Sequence, residues 1–390
     1  MKSDKKDYQF ATKAIHSGQE PDPSTGAVIG PIYATSTYAQ ESPGVFKGYD
    51  YSRTSNPTRK SLEVCMADLE NGGTGFAFSS GMAATATILE LLDSGDHVIS
   101  MDDVYGGTYR LFENVRRRSA GIEFSFANLS DPDSLLANLK ENTKMIWVES
   151  PSNPLLKIVD LQKVSAFAKE HGLITVCDNT FCSPYIQKPL ELGFDLVVHS
   201  ATKYLNGHSD VVGGIAVCSD QREDLAENLA FLANSIGSIM GPFDSFLVLR
   251  SLKTLQVRMQ QHCANAQQIA DFLQAHSGID KVYYPGLPDH PNHAIAKSQM
   301  NGFGGMVTTV LKGGLSSATK FLERTELFTL AESLGGVESL IEHPAIMTHA
   351  SIPPEIRQEL GIEDGLVRLS VGIEAVDDLV RDLDNALLNL

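Results

Sequence analysis

Lys203 stands in the run Val198-His199-Ser200-Ala201-Thr202-Lys203-Tyr204-Leu205-Asn206-Gly207-His208-Ser209-Asp210, a lone lysine among small hydroxyl residues and polar turn formers. A solvated lysine usually keeps company with other charges. Here two hydroxyls, Ser200 and Thr202, flank one amine, which suits a ligand carrying both a phosphate and a carbonyl group. The run follows an apolar strand, Leu196-Val197-Val198, and another apolar strand, Leu173-Ile174-Thr175-Val176-Cys177, ends in Asp178. A lysine that forms a Schiff base with pyridoxal phosphate (PLP), with an acid that keeps its pyridine nitrogen protonated, is the minimum protein equipment for that cofactor. An acid at a strand end and a lysine in a loop are also ordinary structure, so the pair alone leaves both readings open.

Other runs place reactive side chains at element ends. Gly75-Phe76-Ala77-Phe78-Ser79-Ser80-Gly81-Met82-Ala83-Ala84 reads as strand, tight Ser-Gly turn and helix start. Helix-initial amides and the helix dipole favour an anion there, with Ser200 and Thr202 as candidates to complete a phosphate shell. No lysine follows the glycine, which excludes a nucleotide P-loop, while a plain strand-to-helix turn stays open. Tyr105, in Asp103-Val104-Tyr105-Gly106-Gly107-Thr108, offers either a ring to stack on a pyridine or a core phenol with its hydroxyl bonded. Asp50-Tyr51-Ser52-Arg53-Thr54-Ser55-Asn56-Pro57-Thr58-Arg59 supplies Tyr and Arg donors for phosphate oxygens, or forms a surface turn. Asn153, in Glu149-Ser150-Pro151-Ser152-Asn153-Pro154, is held rigidly between prolines. Arg368, in Gly365-Leu366-Val367-Arg368-Leu369-Ser370-Val371-Gly372, is either a surface strand residue or a fork for a substrate carboxylate. Glu332 and Ser333 precede the Gly335-Gly336 turn and alone would read as loop.

The elements that must position these groups alternate. After a Gly-, Pro-, Ser-, Thr- and Tyr-rich stretch at 1–53 with little periodicity, a helix from Pro57 is followed by strand 75–79, helix 82–92, strand 97–101, helix 107–118, strand 122–126, helix 132–139, strand 144–149, helix 161–170, strand 173–178 and strands 195–199 and 213–218. Such alternation predicts an α/β fold, a mainly parallel sheet covered by helices, with reactive groups in loops beyond the strand carboxyl ends. One long helix is expected from Gly241-Pro242, with Phe246, Leu249, Leu252, Leu255, Met259, Cys263, Ala266, Ile269 and Leu273 at three- and four-residue steps. Strands near 279–284, 304–311 and 366–371, with helices near 315–324 and 376–388, predict a smaller α+β domain. The division is an N-terminal arm at 1–53, a cofactor-binding domain at 54–253 and a C-terminal domain at 254–390. The arm has the wrong character to fold back into its own domain, so donation to a neighbouring subunit is expected.

With 390 residues, 42% of them hydrophobic, the chain is long enough for two domains. A net charge of −17 argues against nucleic-acid and anionic-membrane partners, which need clustered Lys and Arg. No apolar run approaches a membrane span, and Met1 to Phe10 lacks the apolar core of a signal peptide. The scattered cysteines at 65, 177, 182, 218 and 263 read as reduced thiols of a cytoplasmic protein. Cys177, Cys182, His199 and His208 lack zinc spacing, so no metal is expected.

Together the runs resemble the Cys/Met-metabolism family of PLP enzymes, from about Thr12-Lys13-Ala14-Ile15-His16 to the end. Tyr51-Ser52-Arg53 with Asn56-Pro57-Thr58-Arg59, Ser80-Gly81-Met82, Asp178-Asn179-Thr180 and Ser200-Ala201-Thr202-Lys203-Tyr204 occur together and in order. The resemblance implies an aspartate-aminotransferase-like (fold type I) domain with a smaller C-terminal domain and an arm, assembled as a homotetramer of dimers that share their sites. It implies Lys203 as Schiff-base lysine and proton shuttle, and Asp178 as partner of the pyridine nitrogen. Tyr105 becomes stacking ring and acid–base group. The Gly81 and Met82 amides, Ser200 and Thr202 become the phosphate shell, with Tyr51 and Arg53 reaching in from the adjacent subunit. Asn153, Ser333 and Arg368 would hold the α-carboxylate side of a sulfur amino-acid substrate. Methionine γ-lyases carry Cys where this chain has Gly107, which disfavours that activity. Glu332 and Asp50 match acidic positions near the distal end of the substrate and suit a distal ammonium. The runs Phe328–Gly336 and His343–Ser351 look most like the cystathionine γ-lyase subgroup. The expected reaction is therefore α,γ-elimination of cystathionine to cysteine, 2-oxobutanoate and ammonia, with γ-synthase and β-lyase as alternatives.

Overall fold

The computed structural model describes residues 8–131, 133–349, 353–388 and 390. Residues 1–7, Pro132 at the head of the expected 132–139 helix, and Ala350 and Ser351 of the His343–Ser351 run lie outside the described residues.

The main sheet has seven strands: β1 (Thr74–Phe78), β2 (His97–Met101), β3 (Glu123–Ala127), β4 (Thr143–Glu149), β5 (Ile174–Asp178), β6 (Leu196–Ser200) and β7 (Gly214–Cys218). Their spatial order is β1-β7-β6-β5-β4-β2-β3. All neighbours pair in parallel except β7, which runs antiparallel to both β1 and β6. The carboxyl ends of β1, β2, β4, β5 and β6 therefore share one edge, and β7 begins at that same edge. Local signals fix the covering helices. Asn56 accepts from Thr58 N and Arg59 N ahead of Pro57–Leu69, and Asp160 caps Leu161–His171, which stops at left-handed Gly172. The core lies between sheet and helices, around Phe112, Trp147, Val148 and Val176.

A second sheet contains β8 (Ile279–Tyr283), β9 (Met306–Leu311), β10 (Thr329–Leu330), β11 (Leu340–Glu342) and β12 (Leu366–Ser370), in the order β10-β11-β12-β9-β8. This is the α/β architecture expected, a mixed sheet with a smaller C-terminal one. Among the described residues no helix is long and apolar enough to cross a membrane. All five cysteines are free thiols.

Three expectations need correction. The single helix from 242 is two, Pro242–Leu252 and Leu255–Ala275. Thr254 bonds the Ser251 carbonyl through both its amide and Oγ1, each at 3.1 Å, and Arg258 Nη2 also reaches it, so a tight three-residue turn with side-chain donors replaces the helical ladder. The 107–118 helix is Gly106–Tyr109, a π-helical turn over Arg110–Arg116, and Arg117–Ser119. The arm does fold back on its own domain in part. Phe10–His16 is a helix whose Ala14 is buried in the same cluster as Leu62 and Cys65. Beyond it, Val28, Ile29, Val45, Phe46 and Tyr51 are exposed.

Candidate active site

Strand register gathers the acids. Asp178 pairs with Val198 on β6 on one side and with Glu149 on β4 on the other. Thr180 turns back on Asp178, donating to Oδ1 from its amide at 3.1 Å and its hydroxyl at 2.5 Å. Burial lifts the Asp178 carboxyl above its ordinary range, and the Thr180 bonds oppose that rise. The Thr180 hydroxyl also accepts from Ser200 N at 2.9 Å, tying the end of β5 to that of β6. Glu149 is pushed well above the usual carboxylate range, by burial first and then by the Asp178 charge. Its Oε2 accepts from Tyr105 N at 2.9 Å and so fixes the loop after β2.

The strand-to-helix turn after β1 meets the Lys203 loop at van der Waals contact. Ser80 Oγ caps Gly81–Leu89 by accepting from Ala83 N at 3.0 Å. The first intrahelical bond runs from Ala84 N to Ser80 O, so the Gly81 and Met82 amides stand ahead of it. A Cβ on Gly81 would lie 3.0 Å from Ser200 Cβ, and one on Gly214 would lie 2.1 Å from Ser80 O. Only glycine fits at 214, and through it β7 brings the two turns together. The Thr202 hydroxyl closes its own loop, accepting from Gly213 N at 3.0 Å.

Lys203 Nζ donates to Ser333 Oγ at 2.8 Å. Burial, then the Arg368 charge, push its amine down to about 8. Arg258 secures the loop from behind, with Nη1 on Tyr204 O at 2.6 Å and Nη2 on Leu205 O at 3.3 Å. Ser333 itself is left-handed at φ 89°, a conformation that costs a non-glycine residue about 1–3 kcal/mol and so aims its hydroxyl by design of the surrounding fold.

Arg368 on β12 is 2% exposed and Glu342, its neighbour in register on β11, is 1% exposed. Arg368 Nη1 donates to Asn153 Oδ1 and to Glu342 Oε1, both at 2.9 Å, while Nη2 donates to Ser333 O at 3.0 Å. Thus Asn153, Ser333 and Arg368 form one bonded group around Lys203. Arg368 Nε is buried without a partner. A buried guanidinium N–H with no acceptor is rare in a finished core, and a carboxylate is the acceptor that suits it.

Tyr105 is 39% exposed at the head of its helix, and burial of its inner part raises its phenol. A Cβ on Gly107 would lie 2.4 Å from Tyr105 Cε1, so the ring rests on the bare glycine. Glu332 is exposed, yet its charge acts on both Lys203 and Tyr105, which puts it at the mouth of the same site. Asp50, Tyr51 and Arg53 are not joined to this group. Among the described residues no hydrogen bond or ion pair links them to Lys203, Asp178, Ser200 or Thr202. Arg53 lies over the Tyr51 ring and its Nε donates to Asn234 Oδ1 at 3.3 Å. Asp50 Oδ1 accepts from Tyr51 N at 2.7 Å.

A helix start with unclaimed amides against a serine, an acid clamped at a strand end, and a half-buried lysine whose amine is lowered to about 8 fit PLP at its phosphate, its ring nitrogen and its aldehyde carbon. The Cys/Met metabolism PLP-dependent enzyme family matches residues 11–388. The chain belongs to that family and is PLP-dependent. A "Cystathionine beta-lyase" of Coxiella burnetii is 65% identical over 376 residues, covering 96% of this chain and 97% of that protein. A "Cystathionine gamma-lyase" of Dictyostelium discoideum is 52% identical over 381 residues, covering 97% and 98%. The solved cystathionine gamma-lyase from Lactobacillus plantarum complexed with L-serine superposes with a TM-score of 0.94 at 48% identity, covering 97% of this chain and 98% of that one. The chain is thus a transsulfuration-type PLP enzyme, and its likeness does not single out the γ-lyases expected from the sequence runs, since a β-lyase stands at higher identity.

Four functional neighbours were missed by sequence reasoning: Glu149, Arg258, Glu342 and Arg110, whose charge acts on Tyr105. Arg110 carried a local signal in its nearness to Tyr105, and Glu149 another, as an acid at a strand end like Asp178.

Proposed function

We propose that this chain is a carbon–sulfur lyase that cleaves cystathionine at Cβ, releasing homocysteine, pyruvate and ammonia. The observation that carries the choice of bond is the 65% identity, over nearly the whole of both chains, to a protein named cystathionine beta-lyase. The same reading assigns Lys203, Tyr105, Asp178, the Gly81–Met82 turn, Ser200 and Thr202 to PLP and the chemistry, and Asn153, Ser333 and Arg368 to the substrate.

PLP, when bound, supplies the electron sink that makes the substrate Cα proton removable. The protein supplies the rest. Arg368, held by Asn153, Glu342 and the Ser333 carbonyl, offers its free Nε to the α-carboxylate and so orients the Cα–H bond. Lys203, with its amine pushed down to about 8, is in part neutral near physiological pH and able to take that proton. Ser333 Oγ fixes where Nζ waits. Asp178, clamped by Thr180, holds a proton on the ring nitrogen. Glu149 keeps the Tyr105 loop at the cofactor edge.

Cystathionine carries an amino-acid group at each end, a three-carbon arm and a four-carbon arm. Docking the short arm on Arg368 places sulfur at Cβ, so one proton loss suffices to expel it. Docking the long arm places sulfur at Cγ and requires a second proton to leave Cβ first. The choice of reaction is therefore a choice of which arm fits beneath Tyr105. The second reading, γ-elimination, draws on the 52% relative and on Glu332 at the mouth, an acid suited to the distal ammonium. Product analysis with cystathionine separates the two: pyruvate with homocysteine supports β-cleavage, and 2-oxobutanoate with cysteine overturns it.

The exposed arm supports assembly into dimers that share sites, with Tyr51 and Arg53 passing to the partner's phosphate shell, within a cytoplasmic homotetramer.

A further inference from the structure

Arg368 and Glu342 face one another across adjacent strands, each with one buried, unpartnered atom. Arg368 spends Nη1 and Nη2 on three acceptors and leaves Nε unused. Glu342 takes both of its donors on Oε1, Arg368 Nη1 and the Thr348 hydroxyl, each at 2.9 Å, and leaves Oε2 bare. Orphans of this kind cost free energy in a finished core. They are complementary in kind: a donor that lacks an acceptor and an acceptor that lacks a donor.

We propose that Glu342 takes up a proton at Oε2 when the α-carboxylate of the substrate docks on Arg368, so that the buried cluster keeps its charge balance. The proposal rests on Arg368 as the carboxylate anchor. Before docking, one guanidinium faces one carboxylate and the pair is neutral. Docking adds a second carboxylate to the same guanidinium, and two carboxylates sharing a buried site cannot both stay ionised cheaply. Glu342 is the one placed to yield. Protonation at Oε2 breaks none of its hydrogen bonds, because both lie on Oε1. Burial already raises its carboxyl, against the lowering effects of Arg368, the Thr348 bond and Lys203, while Glu332 raises it further. The same circuit packs against it: neutral His349 donates from Nε2 to Asn153 O at 3.0 Å, so its Nδ1, 2.9 Å from Thr348 Oγ1, shares the single Thr348 proton with Glu342 Oε1. His349 is no rival for the proton, since burial pushes it down to about 4. Tyr105 faces the cluster as a neutral phenol, its ionisation raised by burial. The proton comes from solvent, and no other bond is made or broken. Glu342 is in this sense a positioning residue that acts through Arg368.

The test compares glycine with methylamine as ligands of the holoenzyme. Both offer an amine to the cofactor and only glycine carries a carboxylate. Calorimetry near neutral pH, in buffers of different ionisation heat, counts the protons taken up. The expected result is up to one proton more for glycine than for methylamine. Linkage then requires the ratio of glycine Kd to methylamine Kd to rise by up to about tenfold per pH unit above the free-state pKa of Glu342. Glu342→Gln removes the extra proton and flattens the ratio. Equal proton counts for the two ligands in the wild type overturn the proposal whether or not the variant folds, and so does a Gln variant that keeps the extra uptake. Arg368→Lys tells this apart from failure of the anchor: if it leaves the glycine preference intact, the anchor reading is wrong. If it weakens glycine selectively while wild-type proton counts are equal, the anchor stands and the Glu342 role falls alone.

Discussion

Arg258→Met tests whether the Lys203 loop is held from the adjoining helix. Arg258 is 4% exposed, and its guanidinium donates to Tyr204 O at 2.6 Å, Ser251 O at 3.0 Å and Leu205 O at 3.3 Å, with Nε on Thr254 Oγ1 at 3.1 Å. Met keeps the stem and removes every donor. The Tyr204 carbonyl is left buried without a donor, at about 2–3 kcal/mol because the lost donor was charged; Ser251 O keeps Thr254 N and Oγ1, so its lost bond costs about 1, and the hydroxyl adds about 1. Against this, burial pushes the Arg258 guanidinium down to about 10, so removing the charge relieves roughly 3 kcal/mol of desolvation. The net loss is about 1–2 kcal/mol, counting the long Leu205 bond as nothing. Urea unfolding at one fixed protein concentration measures it, since oligomer stability depends on concentration. The freed Tyr204 carbonyl immediately follows Lys203, so turnover should fall about 10- to 100-fold, as expected for a displacement of about 1 Å at a reacting group. Arg258→Lys, which keeps the charge but gathers its donors on one nitrogen, should lie between. Wild-type stability within about 0.5 kcal/mol together with wild-type turnover would refute the argument, for that is the behaviour of an ordinary surface position.

Lys203→Ala should abolish turnover and the yellow chromophore while far-ultraviolet circular dichroism stays unchanged; a variant that keeps near-wild-type rates removes Lys203 from the chemistry. Asp178→Asn should lose far more rate than cofactor affinity, measured as steady-state turnover at saturating PLP, since without the charge the ring nitrogen loses its proton. In the apoprotein, condensation of Lys203 with PLP should quicken as pH rises through about 8, because the amine reacts when neutral and burial has brought its pKa down to that value. Arg368→Met should move that midpoint upward by removing a positive neighbour, the second cause of the shift, and a midpoint that stays put contradicts the contribution assigned to Arg368. Mixing inactive Lys203→Ala with inactive Arg53→Ala subunits should restore some activity if the arm serves the partner, and verified hybrids without activity place Arg53 in its own subunit.

The runs around Lys203, Asp178, Gly81 and Tyr105 were legible because each follows a strand whose apolar character is itself local. Glu342 was not. It is one acid in Leu340-Ile341-Glu342-His343, on a three-residue strand too short to show a period, and its meaning comes from register with Arg368 across the sheet. Arg258 was hidden in a helix pattern that runs unbroken through Lys253 and Thr254, since Leu252 and Leu255 are both fully buried although the helix stops between them. Periodicity reports which residues face the core. It carries no information about side chains that turn back on carbonyls. The choice between Cβ and Cγ cleavage was equally illegible, because it depends on the space offered to one methylene, which no run of residues encodes.

The antiparallel insertion of β7 also sets when this protein can first hold its cofactor. Phe78 pairs with Gly214, and that pairing holds the turn after β1 against Ser200 at the head of the Lys203 loop. The contact joins segments far apart along the chain, so its loop-closure entropy is met late in folding. A nascent chain that has emerged only as far as β6 already carries the Ser-Gly turn, Asp178 and Lys203, yet β1 has nothing to pair with. PLP loading should therefore wait for β7, making cofactor capture a checkpoint on completion of the sheet, and a growing chain is spared a reactive aldehyde on a half-built fold.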